Sequence, residues 1–156
     1  MDLVTFLSLV ITYSGGILVV SLITILNAIS LTYHNKTREA LKLILVVLAT
    51  AVSVLILKIV FGTARPVDAF YIESSPSFPS GHAALAMAHY GFLFLTIWKH
   101  DKHHLKHPSL ILLALLIFAI GWSRLYLNVH FLIDVLAGYL IGVIWIVVIN
   151  KTISIK

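Results

Sequence analysis

Eight residues in this chain have the types and spacing to handle an anion: Lys58, Arg65, Ser80, Gly81, His82, Arg124, His130 and Asp134. Lys58, Arg65 and Arg124 supply positive charge, and arginine matches phosphate oxygens two at a time. Ser80 adds a hydroxyl donor, and Gly81 lets backbone approach a ligand closely. His130 and Asp134 stand i, i+4, so on one helix the carboxylate reaches back to the ring. A carboxylate on one ring nitrogen fixes the tautomer and leaves the other nitrogen as nucleophile or base. His82 is then free to protonate a leaving oxygen. Two histidines, one with an acid partner, around a cationic cradle fit phosphoryl transfer through a phosphohistidine. The inventory calls for no metal and no cofactor, because fixed cations and helix ends already face the anion. There is no cysteine, which removes disulfide frameworks, thiolate zinc sites and cysteine nucleophiles.

The elements that position these residues follow from composition. Of 156 residues, 60% are hydrophobic and 11% charged, and the mean hydropathy is +1.05. A soluble domain carries roughly 25% charged residues. A water-exposed globule and a disordered chain are both excluded, and the length fits one integral membrane domain over residues 1–156. The net charge of +5 comes without interleaved basic and aromatic residues, so nucleic acid is not the expected partner. A bilayer crossing needs about 20 apolar residues. Five spans are expected: Leu3 to Leu31, Ala40 to Phe61, Gly81 to Trp98, Ser109 to about Leu127, and His130 to Ile149. The first is too long to stand upright, so it tilts or bends near Gly15-Gly16. It lacks the basic start and small-residue cleavage site of a signal peptide. Pro66, Pro76 and Pro79 keep the loop from Gly62 to Ser80 from being helical throughout. Pro66 also disfavours helix at Arg65, placing it just past the end of the second span. The starts of the third and fifth spans offer unpaired N–H groups and a positive dipole end.

Threading the spans places Lys36, Arg38, Lys42, Lys99, Lys102, Lys106, Lys151 and Lys156 on one side, and only Lys58, Arg65 and Arg124 on the other. The positive-inside rule puts the first group in the cytoplasm. The N-terminus and the candidate site are then expected outside and the C-terminus inside. The three outer cations defy that rule, and ionisable groups at span ends default to a functional reading.

Lys58-x6-Arg65-Pro66, then Pro79-Ser80-Gly81-His82, then Ser123-Arg124-x5-His130-x3-Asp134 resembles the three-part signature of the type 2 phosphatidic acid phosphatase family. That family shares its site with vanadium haloperoxidases and bacterial class A acid phosphatases. The resemblance runs from Lys58 to Asp134, about half the chain. It implies an all-α, polytopic membrane helix bundle with the family's four-helix core. It also implies a lipid phosphatase that removes the terminal phosphate of phosphatidic acid, phosphatidylglycerol phosphate or a polyprenyl diphosphate such as undecaprenyl diphosphate. Under it His130 is the nucleophile, Asp134 its orienting partner and His82 the general acid. Lys58, Arg65, Arg124, Ser80 and the Gly81 backbone bind the phosphate, with no metal or cofactor. An outward-facing site favours recycling of a polyprenyl diphosphate carrier. Two departures stand out. Membrane members of the family usually have six spans against five here, and Val67-Asp68 follows Arg65-Pro66 where many members have a second basic residue. A haloperoxidase does not suit a membrane-buried chain. The alternative is a non-catalytic lipid-phosphate binding or transport module on the same fold.

Other features have plainer readings. His89 is expected to be a buried, hydrogen-bonded core histidine. The loop from Lys99 to Pro108 reads as a solvated basic segment near anionic headgroups, with metal binding by His100, His103, His104 and His107 the lesser reading. Gly138-x3-Gly142 allows close helix packing, within the subunit or between subunits of a homo-oligomer. Phe70, Tyr71 and Phe78 suit an aromatic belt or a lipid gate.

Overall fold

A computed structural model describes residues 2–100 and 104–153. It is all-helical, with no strand among the described residues. The helices are α1 (Leu3–Tyr13), α2 (Ile17–Tyr33), α3 (Thr37–Phe61), α4 (Gly81–Ala86), α5 (Phe92–His100), α6 (Lys106–Tyr126) and α7 (Leu132–Ile153), with a π-helical turn over Met87–Gly91 joining α4 to α5. Among the described residues helices α3, α6 and α7 are each long and apolar enough to cross a membrane, and α1 and α2, bent by 51° at their junction, meet the same criterion when taken together. The remaining expected span is the unbroken helical run from Gly81 to His100. Each of its pieces is short because the π turn changes the hydrogen-bond register midway. The chain is an integral membrane bundle.

The break in the first span falls at Gly15-Gly16, as the sequence indicates. Backbone groups freed inside an apolar layer need partners. Here the Tyr90 hydroxyl donates to the Ser14 carbonyl at 2.9 Å, and the Ser14 hydroxyl donates to the Ile11 carbonyl at 2.6 Å. A side chain at Gly15 would lie 2.5 Å from Ile120 Cγ2 and 3.2 Å from the His82 carbonyl oxygen. The bend therefore rests directly on the helix that carries His82.

The run α4–π–α5 is the centre of the bundle. Ala83, Ala84, Ala86 and Ala88 are fully buried, and α4 packs against α2, α3, α6 and α7. Lipid tails are as apolar as leucine, so close van der Waals packing of small residues holds such helices together. Gly138 and Gly142 provide it. A Cβ on Gly138 would stand 2.6 Å from the Ser80 carbonyl oxygen, and one on Gly142 would stand 2.8 Å from Met87 Cβ. The small-residue face thus packs within the subunit, against α4 and the π turn. His89, on that turn, is fully buried, with Thr24 Oγ1 2.8 Å from Nδ1 and Asn27 Nδ2 3.4 Å from Nε2. It is the core histidine expected, joining α2 to the central helix.

One helix end has a cause other than the one read from the sequence, and two helix starts are shifted. Helix α3 stops at Phe61 because Gly62 takes a left-handed conformation (φ 54°), which places Arg65 beyond the helix end before Pro66 acts. Helix α6 starts at Lys106, because Pro108 falls in its first turn, where a missing N–H costs nothing. Helix α7 starts at Leu132, so His130 precedes the helix. Lys102, His103 and Lys156 lie outside the described residues.

Candidate active site

The segment 62–80 folds over one end of the bundle and is tied to the α6–α7 connection. The Phe70 N–H donates to the Leu127 carbonyl at 3.0 Å, and Asn128 Nδ2 donates to the Asp68 carbonyl at 3.2 Å. Within it, the Ser77 N–H donates to the Thr63 carbonyl at 2.9 Å and the Phe78 N–H to Thr63 Oγ1 at 2.8 Å. Lys58, from the last turn of α3, donates to the Pro76 carbonyl and, at 3.4 Å, to the Ser77 carbonyl. The loop and the lysine are positioned together.

His130 and Asp134 form the expected pair, both almost fully buried, with Nδ1 3.3 Å from Asp134 Oδ2. The same carboxylate oxygen accepts the Phe131 N–H at 2.9 Å and the Ser77 hydroxyl at 2.5 Å. Ser77 Oγ also lies 3.2 Å from His130 Nδ1. Ser77 is a site residue the sequence does not single out, being one serine among several in a proline-rich loop. The other ring nitrogen, Nε2, is 3.3 Å from an Arg65 guanidinium nitrogen. Burial pushes the His130 ring well below the ordinary histidine range, and Arg124, Arg65 and Lys58 add to the shift. The ring is therefore neutral near pH 7, with Nδ1 directed to the carboxylate and Nε2 available as a nucleophile.

A cavity of about 410 Å³ opens in front of His130. Lys58, Glu73, Ser75, Gly81, His82 and His130 form its polar end. Ile17, Ala51, Val52, Val54, Leu55 and Leu85 carry it along the groove between α2, α3 and α4 as an apolar wall. His82 and His130 share this space, as the sequence reading requires.

Several expected residues hold different positions. Ser80 lies behind the cavity wall, fully buried. It caps α4 through an Ala83 N–H to Oγ contact of 3.5 Å, and its own N–H donates to the Asp134 carbonyl at 3.0 Å. At the start of α7, Asp134 already takes the Phe131 N–H, and Phe131, Leu132 and Ile133 are exposed and do not line the cavity. Fully buried Arg124 donates to Thr12 Oγ1 at 2.8 Å, to the Tyr71 hydroxyl and to Glu73. Arg65 is held by the Ser75 and Val129 carbonyls at 2.9 and 2.7 Å.

Glu73 is the second residue the sequence reading misses. One carboxylate oxygen binds Arg124 and the other is 2.5 Å from Arg65. Burial alone raises its carboxyl, but Arg124 and then Arg65 hold it below the usual carboxylate range. The signal was charge balance: three cations converge here, and Glu73 is one of two acids in the loop beside them. Tyr71, expected as a belt or gate aromatic, also belongs to this arginine cluster: its hydroxyl accepts from Arg124 and its ring lies 5.7 Å from that guanidinium carbon.

Comparisons with known proteins show which family the chain resembles. The chain is 34% identical over 126 residues to phosphatidylglycerophosphatase B of Bacillus subtilis (strain 168), covering 79% of this chain and 62% of that protein. The chain thus spans somewhat under two thirds of that curated relative. Among solved structures it resembles a transmembrane PAP2-type phosphatidylglycerolphosphate phosphatase from Bacillus subtilis, with a TM-score of 0.89 and 27% identity over 100% of this chain and 80% of that one. It also resembles Aquifex aeolicus LpxE, with a TM-score of 0.78 and 27% identity over 97% of this chain and 87% of that one. A family model described as the PAP2 superfamily matches residues 39–155. That match contains every one of the eight residues from which the sequence argument began, and the chain belongs to the PAP2 superfamily.

Proposed function

We propose that the protein is a membrane lipid phosphatase that hydrolyses a terminal phosphate from a lipid phosphate or diphosphate through a phosphohistidine. The observation that carries this reading is the orientation of His130. Its Nδ1 side is backed by Asp134 and Ser77, while Nε2 faces Arg65 in the cavity it shares with Lys58 and His82. The names of the phosphatidylglycerophosphatase relatives support the activity. The apolar wall along α3 supports a substrate with a hydrocarbon tail.

In this mechanism His130 Nε2 attacks phosphorus, and the bond from phosphorus to the bridging oxygen breaks in line. His82 gives its proton to the departing oxygen. Asp134 stabilises the ring as it becomes cationic, and Lys58, Arg65 and Arg124 stabilise charge on the equatorial oxygens. A water then attacks phosphorus and passes a proton to His82. The N–P bond breaks, which releases phosphate and restores both histidines. The distribution of cations supports a topology with the site on the extracytoplasmic side and the C-terminus in the cytoplasm.

Phosphate release by the purified protein in detergent tests the proposal, with chelator present and His130→Ala as control. The relatives favour phosphatidylglycerol phosphate as the leading substrate, ahead of the polyprenyl diphosphate that orientation alone suggests. Phosphatidic acid and a soluble phosphate ester complete the panel. Turnover that survives chelation and disappears in the variant is the expected result. A folded protein that binds these lipids without turning over any of them fits the non-catalytic module instead.

A further inference from the structure

The two arginines expected to hold phosphate already hold an anion, the carboxylate of Glu73, which bridges Arg65 and Arg124. We infer that Glu73 is a resident competitor that sets an affinity threshold for the site, excluding singly charged phosphodiesters and yielding to doubly charged terminal phosphates. The inference rests on the phosphatase reading above and adds to it a residue that sets how tightly any anion must bind.

A membrane enzyme of this kind works among phosphodiester lipids at very high local concentration. A phosphodiester carries one negative charge and two unesterified oxygens, and so does a carboxylate. Exchanging tethered Glu73 for a diester gains no net charge, and the tether gives Glu73 an effective concentration advantage. A terminal phosphate carries about −1.5 to −2 at pH 7 and three acceptor oxygens. It offers more than the carboxylate can to a cradle that is not fully used. Among the described residues Arg124 Nε, although buried, has no hydrogen-bond partner. Lys58 lines the same cavity. Glu73 also has somewhere to go: its side chain is 23% exposed, and it sits in a loop beside the outward-facing Ile72.

When a competitor must leave before any ligand binds, every ligand is weakened by the same factor, the fraction of protein in the open state. Charged hydrogen bonds of the kind Glu73 makes set that factor at about 10- to 100-fold. The device does not change the ratio of monoester to diester affinity. It moves the diester below useful occupancy while the monoester stays above it.

The test is direct binding, which does not depend on turnover. Inorganic phosphate and dimethyl phosphate are titrated into wild type and Glu73→Gln in detergent at pH 7.5, read by phosphorus NMR line broadening. The expected result is that both probes tighten by a similar factor of about 10- to 100-fold in the variant, so that dimethyl phosphate binding becomes readily measurable. Unchanged or weaker binding in Glu73→Gln overturns the inference, because Glu73 would then be arranging the arginines for the ligand. Tightening of inorganic phosphate alone also overturns it, because Glu73 would then remain in the occupied site and repel the more highly charged ligand. If neither probe binds either protein, the phosphate-site reading itself fails and the inference falls with it. Should Glu73→Gln lose its cooperative unfolding transition, Glu73→Asp makes the same test. Its shorter arm cannot span both arginines, so both probes again tighten together if the inference holds.

Discussion

Replacing Asp134 with asparagine removes one negative charge while nearly preserving the shape of the side chain. The fold should survive, because asparagine also caps helix starts and can still accept the Phe131 N–H and the Ser77 hydroxyl that now reach Oδ2. What is lost is the interaction with the imidazolium that forms as His130 bonds to phosphorus. The charges are 3.3 Å apart and both side chains are almost fully buried. At an effective dielectric of about 20, their attraction is about 5 kcal/mol. At about 1.4 kcal/mol per decade this corresponds to a rate loss on the order of 10³–10⁴. The loss should fall on kcat, with KM nearly unchanged, because Asp134 stands behind the ring and away from the cavity. Steady-state phosphate release across a substrate series, at equal amounts of folded protein, separates the two. Ser77→Ala belongs in the same experiment. It removes one charged hydrogen bond to the carboxylate and should cost about 10- to 100-fold. A loss below tenfold in Asp134→Asn, or a rise in KM with kcat intact, refutes the electrostatic role assigned to the pair.

Four further outcomes follow from the same geometry. Arg65→Ala and Arg124→Ala should each lower kcat/KM by roughly 10²–10³, and vanadate should inhibit the wild type competitively because it mimics the five-coordinate transition state. Inhibition that excess substrate cannot relieve counts against that site. Gly15→Val should lower activity while circular dichroism still reports a helical protein, because a side chain there meets Ile120 and the His82 backbone. Wild-type kcat in this variant would show that the bend does not position His82. The pH dependence of stability has a defined sign. The folded state holds the His130 ring below its ordinary value of 6.5, so as pH falls through that value the unfolded chain binds the extra proton and the folded chain does not. Stability should fall from about pH 7.5 toward pH 5, and thermal unfolding of His130→Gln should show a shallower slope.

Composition alone established the membrane class and the approximate course of the helices, because bilayer thickness turns apolar length into structure. The sequence marked the bend at Gly15-Gly16, where a stretch too long for one upright crossing contains the only paired glycines. It also selected the histidines and cations, since each is costly in an apolar setting and their spacing repeats a family signature. Helix boundaries were less legible. The end of α3 at Phe61 was read correctly, although a left-handed glycine sets it, while the starts of α6 and α7 were decided by a tolerated first-turn proline and a carboxylate that caps its own helix. Ser77 and Glu73 were not singled out in the sequence, and Tyr71 was read only as a belt or gate aromatic, because their importance is a matter of contact. Each lies in an irregular loop of ordinary composition and becomes part of the site only when that loop folds over the helix ends. Tertiary structure also separated the eight chosen residues by role. Lys58, Gly81, His82 and His130 line the cavity, Asp134 and Ser80 brace it from behind, and the two arginines are occupied by a carboxylate from the loop. Spacing along a chain can bring such residues to the same end of a bundle. Only close packing, here of Gly138 and Gly142 against the central helix, decides which of them face the cavity.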